Sequence, residues 1–210
     1  MADVELIAGA DDEQVARWLH RRLHDALAAT EAPVALSLPG GSTPPPILRA
    51  LAALSEASPL DWRRISVWPG DDRAVPPSHP ASNEGMLRRL LEPLGAEVAT
   101  LSEMEAIPHF ALTWLGMGSD GHIASLFPSA DPRADDPARV RRLTPDPLPP
   151  EAPFDRVTLT IPALLDSDRL LFVIRGEDKR ALFERARAGR NDLPVARLLR
   201  AARQPVTCFA

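Results

Sequence analysis

The chain has 210 residues, 45% hydrophobic and 25% charged, with a net charge of -5 from 24 basic and 29 acidic residues. That length carries one large domain with a full core, and the acidic balance leaves no basic run to neutralise a nucleic-acid backbone. A single cysteine, Cys208, excludes an intrachain disulfide, and no apolar run approaches the ~18 residues of a membrane span. No basic-plus-apolar leader opens the sequence, so the expected compartment is the cytoplasm. Arginine is favoured over lysine almost everywhere, and Lys179 is the only lysine.

In chain order, Asp11 to Ala29 predicts an amphipathic helix, with Val15, Trp18, Leu19, Leu23, Ala26 and Leu27 at helical spacing. His20 and His24 lie four apart on it, and the spacing alone is better explained by a solvated face than by a metal pair. Val34–Leu38 predicts a buried strand running into PGGSTPPP, with a helix from about Pro45 to Leu54. Ile65–Trp68 predicts a second strand, running into PGDDRAVPPSHP, and Ser82 is placed to cap a helix through Leu91. Further strands are expected at Phe110–Leu115, Val157–Ile161, Leu170–Ile174 and Val206–Phe209. Helices are expected after GEDKR, through about Ala188, and at Val195–Ala202. Residues 128–153 carry eight prolines and no apolar periodicity, and are expected to form an ordered surface loop or a flap. Alternating strands and helices predict an α/β fold: a single domain with a Rossmann-like, mostly parallel sheet and helices on both faces.

In such a sheet the carboxyl ends of the strands share one edge, and ligands bind there. Four strands end in polar, glycine-containing loops: GGST, GDDR, GMGSDGH and GEDK. Gly40 and Gly41 allow a tight turn, Ser42 or Thr43 is placed to cap the next helix, and prolines 44–46 suit its first turn. The product is either an oxyanion or phosphate cradle or a tight turn without a ligand. Arg73 can grip an anion through two hydrogen bonds, with Asp71 and Asp72 beside it. Lys179 falls in the first turn of a helix, where a cation opposes the helix dipole, which suggests that it reaches for a ligand. His122 follows a glycine turn at a strand end, as a general base does, and Asp120 is placed to orient its ring or bind a substrate hydroxyl. His79, in the proline-rich tail of GDDR, is expected to be structural or incidental. No G-x-S-x-G elbow, nucleophilic cysteine or metal cluster is evident, so the expected chemistry is acid–base work on a small anion without a covalent intermediate.

The segments LPGGSTP, DDRAVPPSHPASNEGM, LGMGSDGHIASLFP, RVTLTIPALL and GEDK, in this order, resemble the 6-phosphogluconolactonase family, which shares its fold with glucosamine-6-phosphate deaminases. The resemblance implies hydrolysis of 6-phospho-D-glucono-1,5-lactone in the oxidative pentose phosphate pathway, with no metal or organic cofactor. By it, Gly40, Gly41, Ser42, Thr43, Arg73 and Lys179 correspond to groups that hold the 6-phosphate. His122 matches the catalytic histidine, and Asp120 and Asp71 match acidic positions lining the same pocket. The chain departs from the usual pattern at Ser119, where proline is common, at Asp72, where glutamate is, and in a short span between Leu91 and His109. The expected partner is a phosphorylated sugar lactone, with neither nucleic acid nor membrane, and the expected state is a monomer or homodimer. The alternatives are a glucosamine-6-phosphate deaminase and a non-catalytic sugar-phosphate sensor.

Overall fold

The computed structural model describes residues 3–104, 106–150 and 152–210. Strand β1 (Val4–Ile7) is followed by α1 (Asp12–Ala29), β2 (Val34–Leu38), α2 (Pro44–Ala57), β3 (Ile65–Pro69), β4 (Asp71–Arg73) and α3 (Asn83–Leu91). Then come β5 (Glu97–Val98), β6 (Leu112–Leu115), β7 (Val140–Leu143), β8 (Arg156–Leu159), α4 (Ile161–Leu165), β9 (Leu170–Val173), α5 (Glu177–Arg187), α6 (Pro194–Ala201) and β10 (Val206–Phe209). Among the described residues no helix is long and apolar enough to cross a membrane.

Seven strands form one sheet in the order β1-β10-β9-β6-β2-β3-β5, and every neighbouring pair is parallel. Strands β2, β6, β9 and β10 are buried at every residue, as strands covered on both faces must be. Their side chains alternate between two cores. Leu36, Leu38, Trp114, Leu171 and Val173 join Val15, Leu19 and Leu23 of α1 and Ile47, Leu48 and Leu51 of α2. Ala35, Leu115, Leu170 and Phe172 join Phe183 of α5 and Val195 and Leu198 of α6 on the other face. Cys208 lies in this second core, where burial pushes its thiol up to about 12, so it packs as an inert apolar group.

The helix ends follow the sequence. Asp11 accepts from the Gln14 N–H at 2.7 Å while Gln14 accepts from the Asp11 N–H, a reciprocal cap for α1. The Ser82 hydroxyl accepts from the Gly85 N–H at 3.0 Å and caps α3. The expected cap of α2 does not form: Thr43 stands at the N-cap in an αR conformation, and no side chain bonds to that end. Prolines 44–46 have no N–H for a capping hydroxyl to meet, so the Ser42 and Thr43 side chains are left to the loop.

The expected strand at 157–161 forms, but it does not enter the parallel sheet. It is β8, the centre of a separate antiparallel sheet in the order β4-β8-β7. Residues 128–153 are likewise not all loop, because Val140–Leu143 is β7 of that sheet. Neither segment follows a helix that could carry a parallel crossover, whereas DDR has just left β3 and offers an antiparallel partner. The small sheet is fastened to the large one where the Leu159 N–H donates to the Gly70 carbonyl at 2.9 Å.

Candidate active site

The chain from β2 continues to β3 and outward, while β6, on the other side of β2, leads to β9 and the opposite flank. The strand order therefore reverses between β2 and β6, and a crevice opens at their carboxyl ends. Its volume is about 560 Å³, and its walls include Gly40, Gly41, Ser42, Thr43, Asp71, Arg73, His122 and Lys179. All four loops meet there because β9, β6, β2 and β3 are consecutive in the sheet. Asp120 stands behind the imidazole instead of in the wall.

The β2 loop presents backbone donors. Gly41 has φ +89°, a conformation that a side chain resists, so the turn depends on glycine. Among the described residues no hydrogen bond consumes the N–H of Gly41, Ser42 or Thr43, and the three prolines behind them bring none. An anion seated there meets unspent donors at a helix N-terminus. Lys179 enters from the third residue of α5.

The β6 loop holds the imidazole. His122 Nδ1 lies 2.6 Å from Asp120 Oδ1, which also accepts the His122 backbone N–H at 3.1 Å. Partial burial pushes the Asp120 carboxyl up, but the N–H bond and the imidazole outweigh it and hold the group below its usual range. An ionised carboxylate only accepts, so the neutral imidazole carries its proton on Nδ1 and keeps the Nε2 lone pair. Phe127 covers the ring with its centroid 4.9 Å away. The imidazole fits closely against Gly118: a Cβ there would overlap its Cε1 and Nδ1 atoms.

The β3 loop divides its two acids, as neighbours on a strand must. Asp72 is buried and structural. It accepts from Ser82 Oγ at 3.0 Å and from the N–H groups of Asn83 at 2.6 Å, Glu84 at 2.9 Å and Arg73 at 2.7 Å. Asp71 faces the crevice, where Ser125 Oγ donates to it at 2.5 Å and Asn83 Nδ2 donates to its backbone carbonyl at 2.7 Å. Burial raises its carboxyl above the usual range against the opposing pull of Ser125, Arg73 and His122. Arg73 donates to Asn83 Oδ1.

Four polar wall residues escaped the sequence reading: Asn83, Ser125, Arg156 and Arg175. The first three lie inside the segments that carry the family resemblance but have no charge pattern or glycine turn to single them out. The proline-rich segment also contributes, through Pro149 and Ala152. His79 packs on Phe154, with ring centroids 5.2 Å apart, and is structural. His20 Nε2 bonds the Ser58 carbonyl at 2.7 Å, and no metal-binding group of three or more ligands occurs among the described residues.

An imidazole–carboxylate pair beside a turn of unspent N–H donors, at the switch point of a parallel α/β sheet, is the arrangement of an enzyme crevice. The chain belongs to the glucosamine-6-phosphate isomerases/6-phosphogluconolactonase family, which residues 10–99 and 91–207 match. It is 35% identical to a 6-phosphogluconolactonase of Mesorhizobium japonicum, over 95% of this chain and 92% of that one. It is 37% identical to one of Pseudomonas aeruginosa, over 86% and 83%. The fold matches the crystal structure of 6-phosphogluconolactonase from Thermotoga maritima with a TM-score of 0.80 at 24% identity, covering 100% and 99% of the two chains. A monomeric glucosamine-6-phosphate deaminase matches with a TM-score of 0.79 at 17% identity, covering 98% and 96%. The fold is thus common to both activities.

Proposed function

We propose that the protein hydrolyses 6-phospho-D-glucono-1,5-lactone to 6-phosphogluconate, with His122 as the general base. The observation that carries this reading is the Asp120–His122 pair, at 2.6 Å, in a crevice that also holds unspent N–H donors and Lys179. The relatives named above favour the lactone over an amino sugar.

The 6-phosphate sits against the N–H groups of Gly41, Ser42 and Thr43 and the Lys179 ammonium. Gripping this remote group sets the lactone carbonyl near the imidazole and turns a bimolecular attack into an internal one. Nε2 takes a proton from a water as its oxygen bonds to C1, and Asp120 steadies the imidazolium. The carbonyl becomes a tetrahedral oxyanion. When it collapses, the bond from C1 to the ring oxygen breaks and that oxygen takes the proton from Nε2. The new carboxyl ionises, and the imidazole is neutral again. A positioned base contributes about 10²–10⁴-fold, enough for a lactone that already hydrolyses slowly in water.

Replacing His122 by Ala tests the mechanism. Proton release from the lactone, followed in a pH-stat and corrected for spontaneous hydrolysis, should fall by about 10²-fold or more. Affinity for 6-phosphogluconate should stay within about threefold, because the phosphate cradle lies on other loops. Unchanged turnover would remove His122 from the chemistry.

A further inference from the structure

Arg73 and Arg156 are directly opposite each other on the antiparallel strands β4 and β8. Directly paired residues point to the same side, so the two guanidiniums share a face with Asp71 and Thr158, two residues along. Like charges placed this way repel, and chains avoid the arrangement unless something compensates it. Among the described residues neither arginine forms an ion pair with a carboxylate. The nearby acids are occupied: Asp72 by helix N–H groups, Asp71 by Ser125. Arg156 is only 3% exposed, and burial together with Arg73 pulls its guanidinium below the usual arginine range. It spends one N–H on the Phe154 carbonyl and one on the Ala152 carbonyl, the latter at 2.8 Å, which leaves the rest of the fork unused. Arg73 Nε is buried without a partner. Both arginines line the crevice.

The small sheet is also tied to the catalytic loop. Ser125, three residues after His122, donates its hydroxyl to Asp71 and its N–H to Thr158 Oγ1 at 3.2 Å. The arginine pair and the imidazole thus meet around Asp71, on whose carboxyl both Arg73 and His122 act, while Lys179 enters from the loop after β9.

We propose that Arg73 and Arg156 form one two-guanidinium subsite, with Arg156 as its buried half, that receives the negative charge developed at C1: first the oxyanion, then the product carboxylate. This rests on the lactonase reading, and it moves Arg73 from the 6-phosphate, where the family resemblance puts it, to C1. The lactone carbonyl is neutral, so the subsite interacts weakly with the substrate and strongly with the transition state and the product, which is the distribution that accelerates a reaction. It also makes the product a ligand held at both ends.

Arg156→Met and Arg156→Lys are compared with wild type in two assays. In turnover of the lactone, Arg156→Met should lower kcat by about 10²-fold, as loss of an oxyanion donor does, with KM changed by less than about threefold. Arg156→Lys should recover part of that loss. In calorimetric titration, the Met variant should bind 6-phosphogluconate about tenfold more weakly, yet bind glucitol 6-phosphate, which has no charge at C1, as wild type does. Retained binding of the polyol also shows that the crevice is folded. Equal loss of both ligands would mean that Arg156 grips the phosphate or merely holds the wall, and would overturn the proposal, as would no change in either. The titrations need no turnover. A wild-type protein that fails to hydrolyse the lactone but discriminates the two ligands through Arg156 would sink the lactonase reading and leave the subsite standing.

Discussion

Replacing Gly118 by Ala should separate activity from stability. A Cβ at this position overlaps Cε1 and Nδ1 of His122 and comes within 2.7 Å of Asp120 Oδ1. Gly118 is not among the residues with positive φ, so an alanine backbone fits without strain. The obstruction is the end of a rotatable side chain with about a third of its surface exposed, and the ring yields before the main chain does. Rotating it breaks the bond between Nδ1 and Asp120, a loss of ~1 kcal/mol for partly exposed groups. Against this, Gly→Ala stabilises by about 0.4–1 kcal/mol through the unfolded chain. The two nearly cancel, so the melting temperature should move by no more than about 4 °C. Activity has no such offset: a displacement of ~1 Å at the base costs about 10²-fold. The assay is kcat by pH-stat with thermal melting on the same preparation. A variant with near-wild-type kcat would refute the argument that this contact sets the ring, and one that melts far lower would show that the loop yields instead.

Asp72→Ala should cost about 3 kcal/mol, because a buried acceptor of one hydroxyl and three N–H groups is lost, two of them at the start of α3. Denaturant unfolding would read it, and a change under about 1 kcal/mol would deny Asp72 its structural role. Lys179→Met should raise KM for the lactone about tenfold and leave kcat nearly unchanged, since the phosphate is held equally in ground and transition states; steady-state kinetics decides. His109 bridges Asp166 at 2.7 Å and Asp168 at 2.9 Å, and these two bonds raise its pKa. Its stabilisation is complete below the unfolded value of about 6.5 and fades as pH rises through the raised value. The site is half exposed, so the contribution is about 0.5–1 kcal/mol. His109→Gln should flatten the decline in melting temperature above pH ~6.5, and an identical decline in both proteins would exclude His109 as its source.

Four strands of the parallel sheet, β2, β3, β6 and β9, were legible as short apolar runs each followed by a polar glycine loop, and those four loops do meet. Charge and glycine marked His122, Asp120, Arg73 and Lys179. The small sheet was not legible. Asp71–Arg73 has no apolar alternation, and Val140–Leu143 exposes two arginines in its centre, so neither carries a strand signature. β4 is a strand through a partner distant in the chain, and β7 through the strand that follows it, β8. Arg156 was hidden for the same reason: only the register opposite Arg73 gives it meaning. The two edge strands of the parallel sheet also escaped: Val4–Ile7 (β1) has an incomplete pattern of burial, and Glu97–Val98 (β5) is only two residues long.

Asp71 offers a test between the two activities of the family. Opening and isomerising an amino sugar moves a hydrogen from C2 to C1, which needs a second group in the crevice free to take and return a proton. Asp71 is the acid in the wall, yet its carboxyl is engaged by Ser125 at 2.5 Å, with a longer approach from Asn83 Nδ2 at 3.4 Å. In the lactonase reading this carboxyl orients a substrate hydroxyl and carries no proton. Lactone hydrolysis makes no such demand, because one imidazole both takes and returns the proton. Asp71→Asn preserves the size and the acceptor oxygen while removing the charge. It should retain lactone turnover within about tenfold of wild type, a far smaller loss than that of His122→Ala. Wild type should release no ammonium from glucosamine 6-phosphate. Loss of lactone hydrolysis in Asp71→Asn comparable to that in His122→Ala would make Asp71 a second proton carrier, and ammonium release would assign the crevice to the other chemistry.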